Sequence, residues 1–432
     1  MVQELLRFLS LADANVRYVL LGSLLLGACS GLVGVFAVLR KQSLLGDALA
    51  HAALPGIVLG FMLTLSKSHV ALLTGAAVAG LVGVLAIIGI VRMGRIKEDA
   101  AIGIILSVFF GLGILLLTHV QRLPSGNQSG LDKYIFGQAA SLLPADIKLI
   151  GGVALIALIT VVLLFKEFRL LVFDAQFLRA LGFPVPWLDV LLMFLIVLVV
   201  MTGLQAVGVV LMAALLITPA AAARFWTDSL TVMLLLSTLF GALSGMLGAL
   251  FSTLAPAVPT GPVIVLAATL FFAISAVSAP RRGWLAKLLR SMANQKQSAR
   301  EHFLRAVLEW QEAHAGKQSF SPADLSKRLA LPLRAIGKTA DELLKLGLLH
   351  RHPAGLQLTV SGRSLALSIL KSHRLWEYYL LHRMSLQKDH VHRDADAVEH
   401  ILSADMIAEL ENVLARDGVD LRHIDSLHNS SH

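Results

Sequence analysis

Nine apolar stretches, each of about 20 residues and all before residue 280, decide most of what this chain can become. In lipid, every backbone N–H and C=O must be satisfied within the segment, so such stretches cross a bilayer as helices. The spacing predicts spans near 16–39, 44–64, 70–92, 100–119, 147–165, 187–204, 206–223, 229–252 and 262–279. The division near Gln205 is weak, leaving eight or nine spans. Only 15% of the residues are charged, against about 25% in a soluble protein, and 56% are hydrophobic. The expected fold is an all-α polytopic membrane bundle followed by a cytosolic tail.

Lysine and arginine in short loops set orientation. With nine spans, Arg40-Lys41, "RMGRIK" (92–97), "KEFR" (166–169), Arg224 and Arg281-Arg282 all fall on one side. That alternation places the N-terminus outside and the tail in the cytosol. It also accounts for the net charge of +9 without a nucleic-acid partner. "MVQELLRFLSLADANVR" carries acids and does not read as a cleaved signal peptide. The single cysteine, Cys29, excludes an internal disulfide framework and a cysteine metal cage. Small residues in "GACSGLVGV" and "GAAVAGLVG" fit close helix packing.

Within the second span, "LLGDALAHAALPG" places Asp47 and His51 at i and i+4, on one helix face. An aspartate near mid-span costs about 2.5–3.5 kcal/mol, so it tends to face a bundle interior or a wet path. Carboxylate plus imidazole suits manganese, zinc or iron, while an Asp–His hydrogen bond fixing register explains the spacing equally well. Pro55-Gly56 is expected to break the helix shortly afterwards and to free backbone groups. On the basic side, residues 173–183 form a short amphipathic stretch, with Asp174 as N-cap and Gly182 as stop. It could rest on membrane lipid or receive movement from another subunit. No GxxxxGK[ST] pattern occurs, so this chain binds no nucleotide in that way. No nucleophile–base set lies within the spans, which argues against an embedded enzyme.

"VLRKQSLLGDALAHAALPGIVLGF", "FDAQFLRALGFPV" (173–185) and "VGVVLMAALLITPAAAAR" (207–224) together resemble the ABC-3 family, the permease subunits of bacterial ABC importers for manganese, zinc and iron. The resemblance implies a transition-metal substrate, with Asp47 and His51 coordinating it along the path. It implies a coupling role for the segment holding Asp174, Arg179, Leu181 and Gly182. It further implies a separate ABC ATPase, an extracytoplasmic solute-binding protein and a homodimer of permeases.

The tail is of a different kind. Only His51, His69 and His119 of the 15 histidines precede His302. Domains are expected at 1–283 (permease), 284–300 (linker), 301–365 (winged helix) and 366–432 (metal-binding and dimerisation helices). Ser321-Pro322 opens a helix by cap and N1 chemistry. Leu325, Leu329, Ile336, Leu343, Leu344 and Leu348 are spaced for a small core, and a hairpin is expected around Pro353-Ala354-Gly355. Arg334 and Lys338 would face DNA if this helix pair binds it. Further on, His392, Asp396, Glu399 and His400 form one helical stripe, and His373 and Glu377 stand at i and i+4. Solvated ion pairs or manganese, iron or zinc ligation both suit such stripes. Residues 300–428 resemble metal-dependent repressors of the diphtheria-toxin-repressor and manganese-regulator type. That resemblance implies one regulatory metal site at His302, Asp396, Glu399 and His400, and a second at His373, Glu377 and His392. His302 stands where the family shows Met or Asp, and Asp396 where it shows Cys or Glu.

These features suggest an importer permease with a metal-sensing tail. The alternative is a membrane-tethered, metal-dependent transcription regulator.

Overall fold

The computed structural model describes residues 13–64, 69–94, 96–122, 137, 142–255, 258–314, 317–383, 406–407 and 409–410. The chain divides into two compact units at Lys287/Leu288. Residues 284–300, expected as a linker, belong to a continuous helix, Trp284–Ala313, in which the division falls.

In the first unit the helices are α1 (Ala14–Leu39), α2 (Ser43–Thr64), α3 (His69–Met93), α4 (Glu98–Gln121) and α5 (Pro144–Leu163). Two short helices follow, α6 (Phe165–Phe173) and α7 (Ala175–Ala180). Next come α8 (Val185–Val207), α9 (Val209–Arg224), α10 (Leu230–Leu254) and α11 (Thr260–Ser278). Among the described residues eight helices are long and apolar enough to cross a membrane. The chain is therefore a multi-pass membrane protein.

The seventh expected span is α9, which is only 16 residues long. At 1.5 Å per residue it reaches about 24 Å, short of the roughly 30 Å hydrocarbon core. Its burial explains how it tolerates this: Val209, Met212, Leu215, Leu216 and Ala220 are wholly enclosed, so α9 meets protein rather than lipid. The break lies at Gly208 rather than Gln205, with φ 91° and ψ 161° that only glycine adopts readily.

α1 sits at the centre, against α5, α8, α9 and α10. Its contact with α10 is backbone to backbone. A Cβ on Gly27 would lie 2.1 Å from the Gly241 carbonyl oxygen, and one on Gly241 would lie 2.0 Å from that of Gly27. One turn along, the Ser237 hydroxyl donates to the Gly31 carbonyl at 2.6 Å. Lipid supplies no hydrophobic drive between helices, so this proximity is what dispersion and weak polar contacts need. α2 is enclosed similarly, with Gly56 and Gly75 of α3 in mutual backbone contact and α4 and α9 on other sides.

In the second unit, α12 (Trp284–Ala313) buries Phe303, Leu304, Val307 and Leu308 on one core. α13 (Pro322–Leu329) and α14 (Leu333–Lys345) contribute Leu325, Ile336 and Leu343, with Leu329, Leu344 and Leu348 packed at the edge. A capping box starts α13: Ser321 N–H donates to Asp324 Oδ2 at 3.0 Å, and Asp324 N–H to Ser321 Oγ at 3.3 Å. β1 (Leu349–His352) and β2 (Gly355–Leu358) pair antiparallel, Leu349 opposite Leu358 and His352 opposite Gly355. α15 (Val360–Arg383) closes the described core through Ala366 and Leu370.

Gly241→Ala should lower the thermal unfolding midpoint of the detergent-solubilised chain, by the equivalent of about 1–3 kcal/mol of overpacking. Gly103→Ala, whose added carbon meets nothing within 4 Å, should leave the midpoint unchanged or raised.

Candidate functional site

Asp47 and His51 lie in the first turns of α2, between residues that are almost all buried. The imidazole Nε2 stands 3.4 Å from Asp47 Oδ1. That exceeds the usual 2.7–3.2 Å of an N–H···O bond, so the two groups converge without being clamped. Phe110 presents its ring edge-on to the imidazole, centroids 4.8 Å apart. His51 Nδ1 is buried and has no hydrogen-bond partner among the described residues. The helix does not break at Pro55, contrary to expectation; it runs on to Thr64. Proline has no N–H, however, so the carbonyl of His51, four residues earlier, lacks its helical donor. A carboxylate and an imidazole thus stand together on one helical stretch, residue types that suit a divalent transition metal. The set is incomplete, because no group of three or more His, Cys, Asp or Glu side chains capable of holding a metal occurs among the described residues. A hollow of 580 Å³ one turn beyond, lined by Pro55, Gly56, Leu59, Phe109 and Leu112 among others, is apolar and includes neither residue.

At the α2 N-terminus lies a polar cluster that the spacing argument missed. Arg40, which caps α1, forms an ion pair with Asp189 in the first turns of α8. Gln42, just before α2, donates its amide to Glu98 at the start of α4. These four residues line a 180 Å³ cavity together with Arg92. The available signal was Asp189, an acid inside the expected span 187–204 and subject to the reasoning applied to Asp47.

The 173–183 segment is built as its residues suggested. Asp174 Oδ1 accepts from the Phe177 N–H at 2.8 Å and caps α7. Gly182, at φ 85°, closes it: its N–H bonds to the Arg179 carbonyl and the Phe183 N–H to that of Leu178, a Schellman motif. Leu178 is buried, whereas Phe173, Phe177, Leu181, Phe183 and Trp187 are exposed. α6 is anchored by Phe168, whose ring lies 5.4 Å from that of Phe36, one turn before Arg40.

In the tail, His302 and His373, which the resemblance assigns to different sites, converge on one arginine. Arg305 Nη1 lies 2.8 Å from His373 Nδ1, and Nη2 lies 3.4 Å from His302 Nδ1. Arg305 and His373 are buried. The side chain of Glu377, and His392, Asp396, Glu399 and His400 entirely, lie outside the described residues. Arg334 and Lys338 are exposed on α14.

Residues 12–279 match the ABC 3 transport family. The chain belongs to that family. Residues 359–421 match the iron dependent repressor metal-binding and dimerisation domain. The manganese transport system membrane protein MntC of Bacillus subtilis is 45% identical over 380 residues, 88% of this chain and 87% of that protein. The zinc transport system membrane protein TroC of Treponema pallidum is 48% identical over 279 residues, 65% of this chain and 94% of that one. Among solved structures, PsaBC from Streptococcus pneumoniae in complex with Fab shares 37% identity at a TM-score of 0.58, covering 66% of this chain and 99% of the matched one.

For an ABC 3 family chain with this geometry, the Arg40–Asp189 pair is a mechanical tie between helix ends. Asp189→Ala should destabilise the fold by about 1–3 kcal/mol, because it leaves a half-buried guanidinium unpaired. Asp189→Ala with Arg40→Ala should recover part of that loss in the same thermal measurement.

Proposed function

We propose that this chain is the permease subunit of an ATP-driven importer of a divalent transition metal ion, manganese, zinc or iron. The carrying observation is Asp47 and His51 on an enclosed helix, with the imidazole Nδ1 unpartnered. Family membership and the manganese- and zinc-system relatives support the substrate class.

The proposed mechanism is alternating access. A solute-binding protein outside delivers the ion, and two copies of the chain form the path, each lending its Asp47–His51 pair. Two side chains per copy hold the ion briefly, whereas a complete cage would retain it. The chain has no phosphate-binding loop, so a separate ABC ATPase dimer supplies energy. That ATPase docks on the exposed apolar side chains around Leu181, and α6 and α8 pass its movement to the end of α1 through Phe168–Phe36 and Asp189–Arg40. α2 begins only three residues beyond Arg40, so displacement there reaches Asp47 directly. With α9 as a ninth crossing, the N-terminus lies outside and the tail in the cytosol.

For the tail we propose regulation by cytosolic metal, with Glu377, His392, Asp396, Glu399 and His400 as the available ligands. A second reading, a tethered DNA-binding regulator, draws on the helix–turn–helix and hairpin of residues 322–358 with Arg334 and Lys338 exposed.

Asp47→Ala with His51→Ala should reduce manganese uptake to the level of cells lacking the permease, at unchanged membrane abundance. Leu181→Asp should abolish uptake and co-purification of the ATPase while leaving ion binding intact. A chain ending after Arg282 that still imports metal excludes the regulator reading as the sole function. If only operator binding survives scrutiny and uptake is never detected, the permease reading fails.

A further inference from the structure

The tail is matched to a metal-binding domain, yet the corner where α12 meets α15 already contains a cation. Arg305 projects from α12 and is 5% exposed; His373 projects from α15 and is 0% exposed. The guanidinium reaches His373 Nδ1 at 2.8 Å and His302 Nδ1 at 3.4 Å, and its Nε lies 3.5 Å from Glu309 Oε1. Glu309 is shared with Arg328, at 2.9 Å. A second tie runs the opposite way, from Arg374 of α15, 2% exposed, to Glu312 of α12 at 2.7 Å.

We propose that Arg305 is a built-in substitute for a metal ion at this corner, holding α12 to α15 at any metal concentration. The argument rests on lone pairs. Arginine only donates, so the His373 imidazole accepts at Nδ1 at 2.8 Å, and His302 faces the same guanidinium in a looser approach at 3.4 Å. A neutral imidazole accepting at Nδ1 carries its proton on Nε2, and neither nitrogen is then free to coordinate. A transition metal sits about 2.0–2.1 Å from an imidazole nitrogen along the same lone pair, a position that Nη1 at 2.8 Å excludes. Two residues that resemblance divides between two metal sites, His302 and His373, therefore face one arginine. Two imidazoles and the Glu309 carboxylate lie around this fixed charge.

The consequence is regulatory. A metal orders its ligands only when its concentration exceeds the dissociation constant, whereas a side-chain cation is always present. This inference deepens the regulatory reading and depends on it only for the identity of the ion sensed. A sensing ion is then held without His302 or His373.

The test uses the full chain carrying Asp47→Ala and His51→Ala, so that the path contributes no bound ion. Hydrogen exchange of residues 300–313 and 366–376 is followed in EDTA and in saturating manganese. Equal protection in both is expected, and a manganese-induced slowing of about tenfold or more overturns the proposal. Manganese bound per chain is then compared with and without His302→Gln and His373→Gln. Unchanged binding is expected, and loss of one ion overturns the proposal. Binding of no manganese at all ends the sensing role of the tail but supports Arg305 as a metal-independent tie, so the two failures are distinct. Because the exchange measurement leaves the cluster unaltered, misfolding of a cluster variant cannot decide the matter.

Discussion

Direct contact between helix backbones is the constraint on which the membrane unit depends. Where Gly27 meets Gly241 and Gly56 meets Gly75, a single added methyl would collide with a carbonyl oxygen. In water the hydrophobic effect would assemble such helices at ordinary spacing. In lipid that drive is absent, and close dispersion contact has to replace it. The same close contact encloses α2 against α3, with α4 and α9 on its other sides. Asp47 and His51 lie on that enclosed helix, His51 mostly buried and Asp47 partly exposed, and an ionisable pair there is expensive to keep.

The polar pair is informative because it is unfinished. A structural Asp–His contact would close to hydrogen-bond distance and leave no nitrogen unpartnered. Here the approach stops at 3.4 Å, Nδ1 is left over, and Pro55 removes the donor that the His51 carbonyl would otherwise have. An importer must bind its ion and then release it, so partial coordination suits transport better than a full shell does.

Local features were the legible ones. The spans read directly from apolar run length, the α7 caps from Asp174 and Gly182, and the tail core from Leu325, Ile336 and Leu343, because each obeys a periodicity or a capping rule within a few residues. The break before α9 is expected near Gln205 and lies three residues on at Gly208, since hydropathy marks a polar residue while the backbone turn needs positive φ. Pro55 was over-read as a break because neighbouring helices hold a proline-containing helix straight enough to continue. Arg40–Asp189 and Arg305–His373 were invisible for another reason. Each joins side chains far apart in sequence, and no local pattern distinguishes a paired arginine from a solvated one.

The two histidine-bearing sites now contrast in a way that composition could not show. Beside Asp47, the His51 Nδ1 has no hydrogen-bond partner among the described residues, and the neighbouring acid is partly exposed. In the tail, the imidazole of His373 is wholly buried and accepts a hydrogen bond from the Arg305 guanidinium. In the second arrangement a cation arriving at the His373 lone pair would first have to displace the buried guanidinium. Residue type alone therefore says little about metal affinity. What decides it is whether a positive charge already occupies the lone pairs, as Arg305 does at His373.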